Sequence, residues 1–319
     1  MKKLKRKIAV LLIFCLVLLC AGCNSTSEPN NEEPNNPNNE TDNEANEEKQ
    51  SISYNEYFAQ IVSENAENLD WTILLMDLKT GEVLGSYGDV GKNFEPGDIL
   101  KPIVYASLIE NGVLLEESVD VSVAEYNGEY CRSKENFAEG ETKTVLESME
   151  LLNNPAVINI WKGFDKKEEI LYDLSSIGVM LGDDLAALMG YKTIVSGKDI
   201  AQVYRAFADS EQQSDEPFTM SIETKLVIND ILKKTFENVC KYNTGNYTPY
   251  GIFEIISDTE NENNTMNSSA NFAGYLKSKT EKEEGVVLIV NVTASEQEYT
   301  IENLKEMVSD IFVDYILRQ

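Results

Sequence analysis

Hydrophobic and polar positions alternate along the chain with periods that change three times. An uncharged, largely apolar run covers Ile8 to Leu19, and no aromatic or branched aliphatic side chain then occurs from Asn24 to Gln50. A short helix is predicted around Tyr54 to Asn68. Trp71 to Leu78 is rich in strand formers, Lys79, Thr80 and Gly81 make a turn, and Glu82 to Tyr87 returns, which predicts a β-hairpin. From Lys101 to about Phe236 apolar residues recur at three- and four-residue spacing, as in Ile103, Val104, Ala106 and Leu108 and again in Ile200, Val203, Tyr204 and Phe207. Three strands follow, Tyr250 to Ile256, Asn271 to Leu276 and Gly285 to Val292, then a helix from about Ile301 to Leu317. Strands at both ends with helices between them predict an α+β fold. Its antiparallel sheet is built from the N- and C-terminal strands and packs against a largely helical middle.

The N-terminal pattern changes the domain organisation. Lys2, Lys3, Lys5, Arg6 and Lys7 precede the apolar run, and Ala21, Gly22 and Cys23 close it. A run this short falls below the roughly 20 residues of a membrane-spanning helix, and small residues before a cysteine form the processing site of a lipoprotein signal peptide. Residues 1–22 are therefore expected to be removed, leaving Cys23 as the first mature residue. It would carry the acyl chains that anchor the protein to the extracytoplasmic face of the cell membrane. The next 27 residues hold nine Asn, eight acids and three Pro. Such a segment cannot offset the entropy of folding, so residues 23–50 are expected to be a flexible acidic linker and 51–319 one domain.

Charge and composition remove several function classes. Loss of residues 1–22 takes five basic residues and no acid, moving the formal charge from −28 to −33, which disfavours nucleic acid as a partner. There is no histidine, so Ser/His and Cys/His pairs and histidine metal sites are absent, and no metal or organic cofactor is implied. Cys131 and Cys240 could pair or remain two thiols. Trp71 and Trp161 read as core.

Four segments carry a family resemblance. Met76-Asp77-Leu78-Lys79-Thr80-Gly81-Glu82-Val83-Leu84 forms an opening hairpin, and Glu95-Pro96-Gly97-Asp98-Ile99-Leu100-Lys101-Pro102 is similar to a PGSxxKP segment. Leu152-Asn153-Asn154-Pro155-Ala156 aligns with an SxN stretch, and Ile194 to Tyr204 is similar to a VTPLQLAxAY helix. In this order over residues 70 to 318 they resemble the transpeptidase domain of penicillin-binding proteins, the fold shared with serine β-lactamases. The resemblance implies a cleft in which the serine of SxxK attacks a carbonyl and the lysine takes its proton.

Here every motif departs from that chemistry. Asp98 stands at the serine position, and a carboxylate is a poor nucleophile toward an amide. Asp98 and Lys101, three residues apart on one helical turn, are expected to pair, holding the lysine protonated rather than poised as a base. No lysine in the chain has Ser or Thr three residues before it. Leu152 replaces the serine of SxN and leaves Asn154 alone of the polar pair. The third motif, KTG, is expected after Ser257, where Asp258, Thr259 and Glu260 stand and would repel a substrate carboxylate. The literal Lys79-Thr80-Gly81 lies too far upstream and is sufficiently explained as a turn, and Thr244 and Gly245 read as loop.

The expectation is thus a lipoprotein domain that keeps the penicillin-binding fold without acyl transfer. It would serve as a binding or scaffolding module beside cell-wall synthesis proteins or peptidoglycan. Two alternatives stay open: an active D,D-transpeptidase or carboxypeptidase, and a cell-surface sensor whose acidic cleft takes an uncharged or cationic ligand.

Overall fold

The computed structural model describes residues 52–65, 69–126, 128–180, 188–191, 193–209, 219–241, 244–257, 267–280, 284–295 and 300–319. The expected signal peptide, Cys23, the acidic linker and the triplet Asp258, Thr259 and Glu260 lie outside these residues. No helix among them is long and apolar enough to cross a membrane.

The chain opens with helix α1 (Tyr54–Asn65), then the hairpin β1 (Asp70–Asp77) and β2 (Val83–Tyr87). Its turn is locked locally. Asp77 Oδ1 accepts from the Thr80 amide at 2.7 Å and its hydroxyl at 3.0 Å, while Gly81 takes a positive φ of 71°. Lys79, Thr80 and Gly81 are therefore a turn, as expected. Lys79 and Thr80 border an open cleft of about 900 Å³ shared with Tyr54 and Arg318. After β3 (Asn93–Phe94) a 3₁₀ turn at Gly97–Leu100 runs straight into α2 (Lys101–Glu110), where Pro102 sits in the first turn that tolerates it. Eight of the ten residues of α2 are buried. Apolar along its buried length apart from Lys101 and Ser107, with Glu110 at its exposed end, it forms the centre of the domain.

The middle is less purely helical than the periodicity suggested. Two small antiparallel ladders interrupt it: β4 (Ser118–Asp120) with β7 (Thr142–Thr144), and β5 (Val123–Tyr126) with β6 (Glu129–Arg132). Segments of three or four residues are too short to show a two-residue alternation. Helices α3 (Val145–Glu150), α4 (Asn154–Gly163) and α5 (Lys167–Ser176) follow, then β8 (Val195–Ser196), α6 (Gly197–Ala208) and α7 (Ile222–Val239). The C-terminal part gives β9 (Tyr247–Ser257), β10 (Asn267–Ser278), β11 (Gly285–Ser295) and α8 (Ile301–Arg318).

The main sheet has the order β2-β1-β11-β10-β9, with every neighbouring pair antiparallel. β1 meets β11 from Asp70–Thr293 to Asp77–Val286, so the two ends of the chain close one sheet. Both faces are covered, which explains the nearly continuous apolar runs in β1 and β11. Leu74, Met76, Val287 and Ile289 pack with α2, α6 and α7. Ile73, Leu75, Leu288 and Val290 pack with Phe58 of α1 and Ile311 and Phe312 of α8. Trp71 and Trp161 are core residues, 3% and 1% exposed. Cys131 and Cys240 are free thiols, the first on β6 and the second capping α7.

Candidate functional site

The site lies where the 3₁₀ turn and the start of α2 meet the outer strand β9 and the loops after β6 and α3. Gly97 makes this approach possible. With φ of 58° it occupies the left-handed region, and a Cβ there would come within 2.9 Å of both Glu254 and Ile256 side chains on β9. Its amide donates to the Gly190 carbonyl at 2.9 Å. Asn271 of β10 donates to the carbonyls of Glu95 and Pro96 at 2.9 and 3.1 Å and accepts from Asn291 at 2.7 Å. The Tyr204 hydroxyl of α6 donates to the Ile99 carbonyl at 2.8 Å. The turn carrying Asp98 is thus tied to sheet and helices at once.

Asp98 and Lys101 pair as their spacing predicted, with Lys101 Nζ 2.7 Å from Asp98 Oδ1. Their side chains are 7% and 0% exposed. The same ammonium donates to the backbone carbonyl of Leu152. Leu152 is the only non-glycine residue with positive φ (50°) among the described residues, and that conformation turns its carbonyl toward the lysine. Its side chain packs on the core edge, so nothing at this position offers a hydroxyl. Asn153, not Asn154, organises the loop: it caps α4 by accepting from the Ala156 amide at 2.8 Å and donates to Val121 O and Ser133 Oγ, both at 3.0 Å. Asn154 Oδ1 is buried without a hydrogen-bond partner.

Two residues that sequence reasoning did not select complete the cluster. Glu254 projects from β9 beside Asp98, and its side chain is also 7% exposed. Lys134, 63% exposed on the loop after β6, spans both acids, 3.5 Å from Asp98 Oδ2 and 3.3 Å from Glu254 Oε1. Tyr191 donates to Glu254 Oε1 at 3.2 Å. A single glutamate inside Ile252-Phe253-Glu254-Ile255-Ile256 was the available signal, because a buried acid requires a partner. Lys134 carried none; its loop reaches the site only through the fold.

The two carboxyls titrate in opposite directions. Burial raises Asp98, but Lys101 and then Lys134 draw it down and hold it below the usual carboxylate range. Burial and the Asp98 charge push Glu254 up to about 7, with Lys134 opposing. Lys134 is raised by the two acids against the cost of its own burial, and Tyr191 is raised by burial and the same two charges. Cys131 lies close enough to Lys101 to feel its charge, yet burial dominates and keeps the thiol above its ordinary value. The carboxylates face two ammonium groups. Among the described residues no three of His, Cys, Asp or Glu form a metal-ligating group.

An acid, a fully buried lysine and a leucine thus stand where the resemblance implied two serines and a free lysine. This set can hold cations and compensate charge. No serine or threonine hydroxyl donates to Asp98, Lys101 or Glu254 among the described contacts; the hydroxyl that does is the phenol of Tyr191, on Glu254.

Neither a protein-family model nor a curated protein matches the chain. Solved structures match in fold. A peptidoglycan synthetase from Bifidobacterium adolescentis superposes with TM-score 0.65 at 12% identity, covering 81% of this chain and 60% of that one. The TP domain of penicillin-binding protein 3 from Burkholderia pseudomallei gives 0.60 at 17% identity, with 81% and 91% covered. A peptidoglycan glycosyltransferase from Burkholderia ambifaria gives 0.57 at 17% identity, with 78% and 91% covered. The chain spans about 60% of the first of these proteins.

Proposed function

Starting from the fold of a penicillin-binding transpeptidase domain, we propose that this chain is a non-acylating member of that fold. It is held at the extracytoplasmic membrane face through lipidated Cys23, and it acts as a binding or scaffolding module linked to cell-wall synthesis. The observation that carries the reading is the buried Asp98–Lys101 pair at 2.7 Å, in the place where the fold's enzymes need a hydroxyl and a free base. Leu152 and Glu254 support it, since one cannot relay a proton and the other disfavours an anionic substrate. The acidic linker, residues 23–50, would give the domain a reach of about 30 Å from the anchor. Incubating the domain with a peptide ending in D-alanyl-D-alanine tests the reading against the active D,D-peptidase alternative. The expected result is no D-alanine release above the uncatalysed rate; release that scales with protein concentration would establish the enzyme instead.

A further inference from the structure

The base of the loop after β6 is anchored by Ser133, whose amide donates to the Ser122 carbonyl at 3.2 Å and whose hydroxyl accepts from Asn153 at 3.0 Å, while one exposed side chain carries the loop onto two buried acids. Lys134 at 63% exposure contrasts with Asp98 and Glu254 at 7%, and its ammonium is 3.5 and 3.3 Å from them. The acids belong to different parts of the fold, Asp98 to the 3₁₀ turn before α2 and Glu254 to the outer strand β9. One lysine therefore joins three elements beside the buried Asp98–Lys101 pair. We propose that Lys134 is a pH-released strap: it holds the loop after β6 over the Asp98–Lys101 pair when Glu254 is ionised, and protonation of Glu254 loosens it.

Among the described residues, four charged or titratable groups face Glu254. From the 3₁₀ turn comes Asp98, from α2 Lys101, from the loop Lys134, and from the Gly190 segment Tyr191. On the neighbouring strand β10 its register partner is Asn271, which is neutral. Asp98 sits below the carboxylate range, Lys134 and Tyr191 above their ordinary values, and the chain has no histidine. Among the described groups of this cluster, the change between pH 5.5 and 8 is therefore the proton on Glu254, whose carboxyl lies at about 7. Above that value Lys134 faces two negative charges, and below it one. An acid raised above its unfolded value binds its proton better folded, so Glu254's own contribution to folding stability grows on acidification from about pH 7 toward 4.5 while the strap itself weakens. Opening of the loop and Glu254's contribution to global stability then move in opposite directions with pH.

The test is hydrogen exchange of the amides of residues 133–137 in the whole domain. Rates are expressed as protection factors, so that the chemical dependence of exchange on pH cancels. Protection is expected to fall about fivefold from pH 8 to pH 5.5, the weight of one partly exposed ion pair, with β10 and β11 unchanged. Glu254→Gln is expected to show the low value at both pH values, and Lys134→Met likewise. Equal protection of the unmodified domain at the two pH values would overturn the proposal without recourse to any variant. A pH-dependent fall that persists in Glu254→Gln would overturn it too, by assigning the change to another group.

Discussion

Replacing Lys101 by methionine is expected to lower the stability of the domain by about 3–5 kcal/mol, because it leaves a buried carboxylate with its nearest counter-charge removed. Asp98 would keep only the more distant and exposed Lys134, and the Leu152 carbonyl would lose its donor. In thermal unfolding of a domain this size the loss corresponds to a fall of about 10 °C. Changing both members together, Asp98→Leu with Lys101→Met, is expected to recover most of that, since an apolar pair of similar volume avoids desolvating two charges. The non-additivity is the signature of a structural ion pair. A lysine retained for proton transfer behaves otherwise: its removal costs activity and little stability, because active-site groups are commonly held at the expense of the fold. Equal thermal midpoints for the Lys101→Met and unmodified domains would contradict the structural role.

Asp98→Ser is the second change with a large expected contrast, because it restores the residue that the resemblance expects and yet should restore no chemistry. The new hydroxyl would face Lys101, but Leu152 still offers no hydroxyl to pass a proton onward. Removing the Asp98 charge also removes one of the influences that raise Glu254, so Glu254 would be more fully ionised at neutral pH. An anionic acyl donor held about 5 Å from that carboxylate meets an opposing energy of about 3 kcal/mol at an effective dielectric of 20. The expectation is no covalent adduct between the Asp98→Ser domain and a penicillin, read by intact mass. An adduct from this one substitution would mean that Leu152 and Glu254 do not limit the site, and the account of a cleft altered at several positions would fall.

What was legible in the sequence was local. The hairpin follows from Asp77, Thr80 and Gly81 within five residues, and the Asp98–Lys101 pair follows from a three-residue spacing on one turn. The C-terminal strands declare themselves by long apolar runs, although each extends further than the sequence suggested, since β9 begins at Tyr247 and β10 ends at Ser278. Glu254 was passed over because β9 is buried on both faces, so its alternation does not reveal which side chain crosses toward α2. Lys134 depends on where two short ladders, β4–β7 and β5–β6, deliver a loop, and no periodicity over three or four residues encodes that. Leu152 was legible as a lost hydroxyl but not as a backbone acceptor, because the contribution comes from its left-handed conformation and not its side chain.

The most direct test of the central claim is intact mass spectrometry of the unmodified domain after prolonged incubation with a fluorescent penicillin. The account predicts the mass of the unlabelled protein and no protein-bound fluorescence after denaturation. A stoichiometric adduct would contradict it, and proteolytic mapping of the label would identify the nucleophile that the Asp98–Lys101 pair was taken to have replaced.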